Sequence, residues 1–301
     1  MSPLQPANPD GFHEADVAYA LDRAGYSASG RLTFQHYLWK DATGSPIHPD
    51  VLSDVGTGLG DTGAEVEVQV ADVGTGTGVW ALDVARLSGV TGIAKFKVHG
   101  FDISDEQFPP AHILPDNVQL SVADALGDVP DSLRGRFDIV HVAHFAGVRA
   151  LGDDPSPVIK HALALLKPGG WIQWDEWARE VEVVRLSPSP HCDAALGVSA
   201  KIFPQWLHDL AGHLSKHGLV QSIRQDFQPS NFLLPGLTAL WYMTAEEVVK
   251  VGFEEPTRSM MMKMILSAHA ETKSLDIRAM FRMCPSSVMG KKPAATSSPP
   301  M

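Results

Sequence analysis

The fold is decided by the stretch Val66-Glu-Val-Gln-Val-Ala-Asp72-Val-Gly74-Thr-Gly76-Thr-Gly78-Val-Trp80-Ala-Leu-Asp-Val-Ala-Arg-Leu87. Its first eight residues alternate between apolar and polar side chains and then become apolar, as in a strand that enters a buried sheet. After the glycines, apolar residues recur at helical spacing up to Leu87. The stretch therefore predicts a strand, a glycine-rich loop and a helix.

Further along the chain, short apolar segments alternate with helical ones. The other predicted strands are Lys95–Ile103, Val118–Ala123, Phe137–Val142, Gly170–Asp175, Leu219–Phe227 and Ser286–Gly290. The other predicted helices are Ala15–Ala42, Pro157–Leu166 (closed by a Lys167–Gly170 turn), Pro204–His217, Leu237–Val251 and Thr257–Phe281. Strands that alternate with helices favour right-handed crossovers and a parallel sheet, so the predicted fold class is α/β.

The glycine pattern occurs twice, first as Asp54–Gly60 and again as Asp72–Gly78. The first copy follows His48–Ser53, which is not a convincing strand, and it runs into Asp61-Thr-Gly63 rather than into a helix. We therefore predict a flexible loop for the first copy. The second copy lies between a strand and a helix, where glycines let backbone amides approach a ligand closely.

The spacing of the glycines in the second copy indicates which ligand the loop would bind. A dinucleotide-binding loop has its third glycine, or an alanine, three residues beyond the second, and Val79 stands at that position here. The third glycine falls instead at Gly78, and Asp72 lies two residues before the first. An acid at this position would attract the positively charged ammonium of S-adenosylmethionine, whereas it would repel a negatively charged diphosphate. The loop therefore favours S-adenosylmethionine over NAD or FAD.

Two later acids fit the same ligand. Asp102 ends the second strand at the distance from the glycine loop where an acid accepts hydrogen bonds from ribose hydroxyls, and Ile103 is placed to pack on adenine. Asp124 follows the third strand and is a candidate acceptor for the adenine amino group, although an Asp that opens a turn is also common.

Composition and charge indicate which kinds of binding partner to expect. The chain has 301 residues, 44% hydrophobic side chains and a net charge of −11, which disfavours a nucleic-acid partner. Two cysteines make no disulfide framework, and we expect no metal site. No window is apolar enough to span a bilayer, and the first residues are not those of a signal peptide, so we expect a cytoplasmic protein with a small-molecule substrate. The oligomeric state is left open.

These motifs, in this order, resemble the class I S-adenosylmethionine-dependent methyltransferases. The resemblance is carried by Asp72–Gly78, Phe101-Asp102-Ile103, Ala123-Asp124-Ala125, Phe137–His141 and Leu166–Gly170. More narrowly, the chain resembles fungal secondary-metabolite methyltransferases, including the gliotoxin-type thiol and amine methyltransferases. That resemblance is carried by Arg31–Trp39, His48-Pro49, Gly74–Trp80 and Gln107-Phe108-Pro109.

The resemblance implies a Rossmann-like seven-stranded sheet with an antiparallel last strand and a helical lid. Residues 1–14 and 294–301 are then tails, residues 15–55 the lid, and residues 56–293 the catalytic domain, with helical caps at about 178–217 and 232–281. Arg31 is expected to pair with the methionine carboxylate. The other expected cofactor contacts are Tyr26, Tyr37, Asp72, Gly74, Thr75, Gly76, Thr77, Gly78, Trp80, Asp102, Ile103, Asp124, Ala125 and His141.

The sequence gives weaker signals for the residues that would bind the methyl-accepting substrate. His141 and His144 lie near the carboxyl end of the fourth strand, where open α/β sheets bind ligands, so each is a candidate general base and equally a candidate structural residue. Candidates for an apolar acceptor pocket are His36, Phe145, Trp174, Trp177 and Met243, with plain packing as the alternative.

Four functions remain open from the sequence. The favoured one is methyl transfer to sulfur, oxygen or nitrogen of a small, mostly apolar natural product. The second is rearrangement or cyclisation of a substrate by a methyltransferase-like protein that still binds the cofactor. A regulatory homologue is the third, which the intact loop Asp72–Gly78 disfavours, and a dehydrogenase is the fourth.

Overall fold

The computed structural model describes residues 25–56, 66–88 and 95–294. Residues 1–24, 57–65, 89–94 and 295–301 lie outside this description. The prediction of an N-terminal tail, most of the predicted C-terminal tail, the beginning of the first predicted helix and the end of the first glycine copy therefore fall outside the described residues.

Seven strands form one sheet in the described part of the chain. They are β1 (Glu67–Val73), β2 (Lys95–Asp102), β3 (Val118–Val122), β4 (Phe137–Ala143), β5 (Leu166–Val184), β6 (Val220–Asp226) and β7 (Met280–Lys291). Their order across the sheet is β3-β2-β1-β4-β5-β7-β6. The first five are parallel, and β7 runs antiparallel to both of its neighbours. The predicted α/β sheet with an antiparallel last strand is confirmed.

Eight α-helices surround this sheet in the described residues. They are α1 (Tyr26–Thr43), α2 (Pro49–Gly56), α3 (Val79–Ala85), α4 (Ser156–Leu165), α5 (Pro190–Ile202), α6 (Leu210–Lys216), α7 (Leu234–Gly252) and α8 (Thr257–Lys273). Helices α2 and α3 pack on one face of the sheet through Val51, Trp80 and Val84. Helices α4 and α6 pack on the other face through Ile159 and Leu210.

The prediction for the first glycine copy is partly wrong. Asp54 and Gly56 belong to helix α2 and not to a loop. The carboxylate of Asp54 accepts a hydrogen bond from Trp171 Nε1 at 2.8 Å and pairs with Lys291 Nζ at 2.8 Å. This copy therefore attaches a helix to strands β5 and β7, a structural role that the repeated glycine pattern does not indicate.

Strands β5 and β7 are much longer than predicted. We expected Gly170–Asp175 and Ser286–Gly290, but β5 begins at Leu166 and β7 begins at Met280. The predicted Lys167–Gly170 turn lies inside β5, where the pairing with β4 shifts register. At the other end, the two strands stay paired beyond the carboxyl edge of the sheet, with Val183 opposite Phe281.

This two-stranded extension supports the outer helices. Phe281 and Met283 of β7 are buried with side chains of α1, α5, α7 and α8 in one apolar cluster. The predicted helix Thr257–Phe281 accordingly ends at Lys273, and its last two residues belong to β7. Likewise, residues 178–184 of the first expected cap are strand rather than helix. In the described residues, no helix has the length and apolar character needed to cross a membrane.

Candidate functional site

The glycine loop between β1 and α3 is compact because three of its residues have left-handed backbone angles. Gly74, Gly76 and Gly78 have φ of 76°, 54° and 72°, which other residues adopt only with strain. At Gly74 a Cβ atom would lie 2.7 Å from Phe145 Cε2. The amide of Gly74 donates to the carbonyl of Phe101 at 2.8 Å, so the loop is attached to the end of β2.

Asp102 ends β2 beside this loop. Its Oδ2 accepts a hydrogen bond from the amide of Gly76 at 2.7 Å. Burial raises the pKa of Asp102, and the hydrogen bond from Gly76 opposes that shift only in part. The carboxyl group is therefore fixed against the glycine loop, with further acceptor capacity for a ligand hydroxyl.

A buried cluster of two acids and one imidazole lies behind the loop. His141 Nδ1 is 2.7 Å from Asp72 Oδ1, and His141 Nε2 is 3.2 Å from Asp175 Oδ2. The indole of Trp80 stacks on the imidazole at 3.8 Å between ring centroids. Burial alone lowers the pKa of His141, but the hydrogen bonds and charges of the two carboxylates outweigh burial and raise it to about 9.

His144 has the opposite character. It follows β4 with φ of 59°, and its ring lies near parallel to that of Trp177, 6.1 Å away between centroids. Burial, opposed only by the charge of Asp175, lowers the pKa of His144 to about 3. At neutral pH the structure therefore contains a charged His141 and a neutral His144 close to each other in the chain.

These groups surround a cavity of about 210 Å³ at the carboxyl ends of β1, β2 and β4. Its wall includes residues of the glycine loop, of the ends of β2 and β3 and of helix α1, together with both candidate bases, but no residue of the expected motifs His48-Pro49 and Leu166–Gly170. The expected site residues in its wall are His36, Asp72, Gly74, Thr75, Gly76, Thr77, Trp80, Asp102, Ile103, Asp124, Ala125, His141, His144 and Phe145.

A second cavity of about 500 Å³ shares four wall residues with the first, namely Leu32, Gln35, His144 and Val148. Most of its wall is apolar and comes from the outer helices α1, α5, α7 and α8 and from the β5–β7 extension. Trp177, a candidate for an acceptor pocket, lies in this wall, and so does Arg31.

Several expected site residues lie outside both cavities. The side chains of Tyr26 and Tyr37 are 99% and 52% exposed on α1. Trp174 is fully buried in the sheet core, and Met243 on α7 contacts neither cavity. Gly78 is the N-cap of α3 rather than a wall residue.

The environments of three further expected residues differ from the roles considered for them. Arg31 is paired through Nε with Glu247 Oε2 at 2.9 Å, whereas the sequence suggested a cofactor carboxylate. Both ring nitrogens of His141 are bonded to carboxylates, so no free lone pair faces a substrate. His144 binds a proton too weakly to act as an efficient base near neutral pH.

Sequence reasoning missed two acids, Asp175 and Glu176, which follow each other near the carboxyl end of the sheet portion of β5. Asp175 lines the first cavity and Glu176 the second. The signal was present in Trp174-Asp-Glu-Trp177, where two acids interrupt an apolar strand. Burial raises the pKa of Glu176 to about 8, against hydrogen bonds from Trp174 and the backbone of Ala146.

The polar atoms in the wall of the first cavity are suited to S-adenosylmethionine. Thr77 Oγ1 and Asp175 Oδ1 are buried without a hydrogen-bond partner among the described residues, which is costly unless a ligand supplies one. Two carboxylates and one imidazolium leave an excess negative charge for a cationic ligand. Among the described residues, no group of three His, Cys, Asp or Glu has the geometry to hold a metal ion.

Comparisons with known proteins show which family the sequence matches. A family model described as a methyltransferase domain matches residues 49–233. Methyltransferase grgD of Penicillium sp. is 41% identical over 128 residues, 41% of this chain and 43% of the relative. N-methyltransferase tcpN of Claviceps purpurea is 30% identical over 150 residues, 50% of this chain and 49% of the relative. The matches thus span less than half of these relatives' lengths.

Among solved structures, this chain is similar to Haemonchus contortus phosphoethanolamine N-methyltransferase 2. It is 15% identical, with a TM-score of 0.48, over 91% of this chain and 59% of that chain. The family match covers more than half of the present sequence and includes the loop, Asp102 and the Asp72–His141–Asp175 cluster. The chain therefore belongs to the methyltransferase domain family, the class I enzymes that use S-adenosylmethionine, and it is similar to methyltransferases of fungal secondary metabolism.

Proposed function

We propose that this chain transfers a methyl group from S-adenosylmethionine to a small, mostly apolar natural product in secondary metabolism. The observation that carries the proposal is the pair of neighbouring cavities, which share four wall residues. One is lined by glycines and acids at the carboxyl ends of the strands, and the other is larger and mostly apolar. A polar donor and an apolar acceptor would then meet near the wall shared by both, at Gln35 and His144.

The residues that would hold the cofactor follow from their chemistry. Asp102 would accept from the ribose hydroxyls, and Ile103, Asp124 and Ala125 would contact adenine. The cluster of Asp72, His141 and Asp175 would oppose the positive charges of the ligand. We retain these as proposed roles, and we omit Tyr26 and Tyr37 because they are exposed and line neither cavity.

The cofactor supplies an activated methyl group bound to a sulfonium sulfur. Because its leaving group is already good, the protein contributes mainly alignment and exclusion of water. Helix α1 is attached to helices beside both cavities. His36 and Lys40 bind Asp83 of α3, at 3.2 and 2.7 Å, and Arg31 binds Glu247 of α7. This helix therefore holds the wall between the two cavities in place.

Calorimetric titration with S-adenosylhomocysteine tests the cofactor site. Asp102→Asn should weaken binding by roughly tenfold or more, because one charge-assisted hydrogen bond contributes about 1.5–3 kcal/mol. The matched control is Asp116→Asn, which changes an exposed acid outside both cavities and should bind as wild type does. A wild-type protein that binds no S-adenosylhomocysteine would refute the proposed function.

Methyl transfer itself is tested with S-adenosylmethionine carrying a labelled methyl group and a panel of apolar thiols, phenols and amines. The expected result is a labelled product heavier by one methylene unit. An unlabelled, rearranged product formed without consumption of the cofactor would instead support the rearrangement or cyclisation that the sequence left open.

A further inference from the structure

The wall of the second cavity contains a buried guanidinium that is only partly satisfied. Arg31 lines this cavity and is 1% exposed. Its Nε donates to Glu247 Oε2 at 2.9 Å, but its Nη2 is buried with no hydrogen-bond partner among the described residues. A buried N–H group without an acceptor is costly, so this one is suited to a ligand that supplies an acceptor.

The position of Arg31 on helix α1 indicates which ligand that is. Leu32 and Gln35 of the same helix line both cavities, whereas Arg31 lines only the second. The first cavity is the one with the glycine loop and the acids suited to the cofactor. The unpartnered N–H group of Arg31 is therefore placed for the methyl-accepting substrate and not for the methionine carboxylate of the cofactor.

The charges around the second cavity cancel near neutral pH. Glu247, which is not a wall residue, balances the charge of Arg31. Glu176 is also buried in the wall, but burial raises its pKa to about 8, so it is mostly uncharged at pH 7. The other charged wall residues, Asp153 and Lys201, are exposed and opposite in sign. The cavity therefore has no excess charge with which to bind an ion.

This balance favours a neutral ligand over an anion or a cation. An ion would lose its hydration shell on entering a mostly apolar cavity without gaining an opposite charge there. The oxygen of a ketone, an amide or an ester loses less on leaving water, and it can still accept a strong hydrogen bond from a guanidinium. The remainder of the ligand would contact apolar side chains of the wall, which include Leu240, Val249, Met261, Ile265 and Met283.

We propose that the second cavity binds a neutral, mostly apolar substrate through a carbonyl oxygen that accepts a hydrogen bond from Arg31 Nη2. This inference rests on the proposed function, and it names the substrate class of that site. The hydrogen bond holds the substrate by its carbonyl oxygen, whichever other atom of the substrate is methylated. That other atom would reach the cofactor beside Gln35 and His144, in the wall that the two cavities share.

Four probes with a common phenylethyl group test the assignment without turnover. 4-Phenylbutan-2-one carries the carbonyl oxygen, and 2-methyl-4-phenylbut-1-ene has a CH₂ group in its place. 3-Phenylpropanoate is the corresponding anion, and 4-phenylbutan-2-amine is the cation. In calorimetric titrations at pH 7 with S-adenosylhomocysteine present, the ketone should bind roughly tenfold tighter than either ion, because the ions find no opposite charge in the cavity.

Arg31→Lys tests the hydrogen bond itself. Lysine keeps a cation for Glu247 but ends one bond short of Nη2, so the ketone should bind roughly tenfold more weakly and the alkene should be unaffected. Binding of S-adenosylhomocysteine should stay as in wild type, because Arg31 does not line the first cavity. The matched control is Arg134→Lys, at an exposed arginine that also pairs with an acid through Nε but lines neither cavity.

Glu247→Gln tests the charge balance. Glutamine keeps an oxygen that can accept from Arg31 Nε, but the charge of Arg31 is no longer balanced. The anion 3-phenylpropanoate should therefore bind roughly tenfold tighter than it does to wild type, whereas the ketone should change little. The control is Glu246→Gln, which alters the preceding residue of α7; Glu246 pairs with Lys250, lines neither cavity, and its replacement should not affect any probe.

Four outcomes would overturn the assignment. In wild type, they are no measurable binding of the ketone and tighter binding of either ion than of the ketone. In Arg31→Lys, they are unchanged binding of the ketone and a weaker binding of S-adenosylhomocysteine, which would assign Nη2 to the cofactor. Each of these leaves the proposed methyltransferase function intact as long as wild type binds S-adenosylhomocysteine. Absence of that binding would refute the proposed function instead, so the two failures are distinguishable.

Discussion

The charge on His141 can be tested by titrating the protein with base. One unit of pKa difference corresponds to about 1.4 kcal/mol between the two protonation states. The rise from 6.5 in an unfolded chain to about 9 in the folded one thus corresponds to about 3 kcal/mol. Because the folded pKa is the higher one, this stabilisation is fully present below pH 6.5 and is lost as pH rises through 9.

Two measurements follow this loss. NMR of histidine labelled in its ring should show His141 protonated at pH 7.5 and titrating near 9, while His144 remains neutral. Urea unfolding between pH 6.5 and 9.5 should give a free energy of unfolding that falls across this range. Glu176 loses a proton in the same range, so the wild-type slope alone does not isolate His141.

Asp175→Asn provides the comparison. It keeps the shape of the side chain but removes one of the two charges that bind His141, so the pKa of His141 should fall and the alkaline loss of stability should shrink. A His141 that titrates near 6.5 in wild type, or an Asp175→Asn variant with an unchanged His141 titration, would refute the reasoning.

Three further predictions concern single contacts. Gly74→Ala should weaken S-adenosylhomocysteine binding at least tenfold, because a Cβ would lie 2.7 Å from Phe145 at φ of 76°; Gly30→Ala, with open space around its Cβ, should bind normally. Asp83→Asn should increase hydrogen exchange in α1 by loosening its contacts with His36 and Lys40, whereas the exposed Asp41→Asn should not. Asp54→Ala should lower the free energy of unfolding in urea by about 1–2 kcal/mol, since Trp171 Nε1 loses its acceptor; Ser53→Ala should change it by under about 0.5 kcal/mol.

Much of the fold was predictable because its signals are local. The strand, glycine loop and helix around Asp72–Gly78 follow one another in the chain, and the register that brings them together is set by neighbouring residues. The β5–β7 extension was not predictable in this way. Val183 pairs with Phe281, nearly a hundred positions away, and only that pairing shows that Phe281 is strand rather than the end of a helix.

The site residues also differ in whether local sequence is enough to predict their roles. The acids at strand ends were visible one strand at a time, so Asp72 and Asp102 could be named. The environment of His141 depends on the alignment of separate strands: Asp72 of β1 lies opposite His141 of β4, and Asp175 comes from β5. From the sequence, His141 was therefore a candidate base, whereas the aligned strands place it between two carboxylates.

The position of β7 also has a consequence for folding during synthesis. This strand is encoded last among the described strands, yet it lies between β5 and β6. Until residues 280–291 have left the ribosome, β6 has no strand partner in the described sheet, and one edge of β5 is open. The nascent chain therefore exposes an unpaired β edge late in translation, a stage at which chaperones commonly protect other proteins from aggregation.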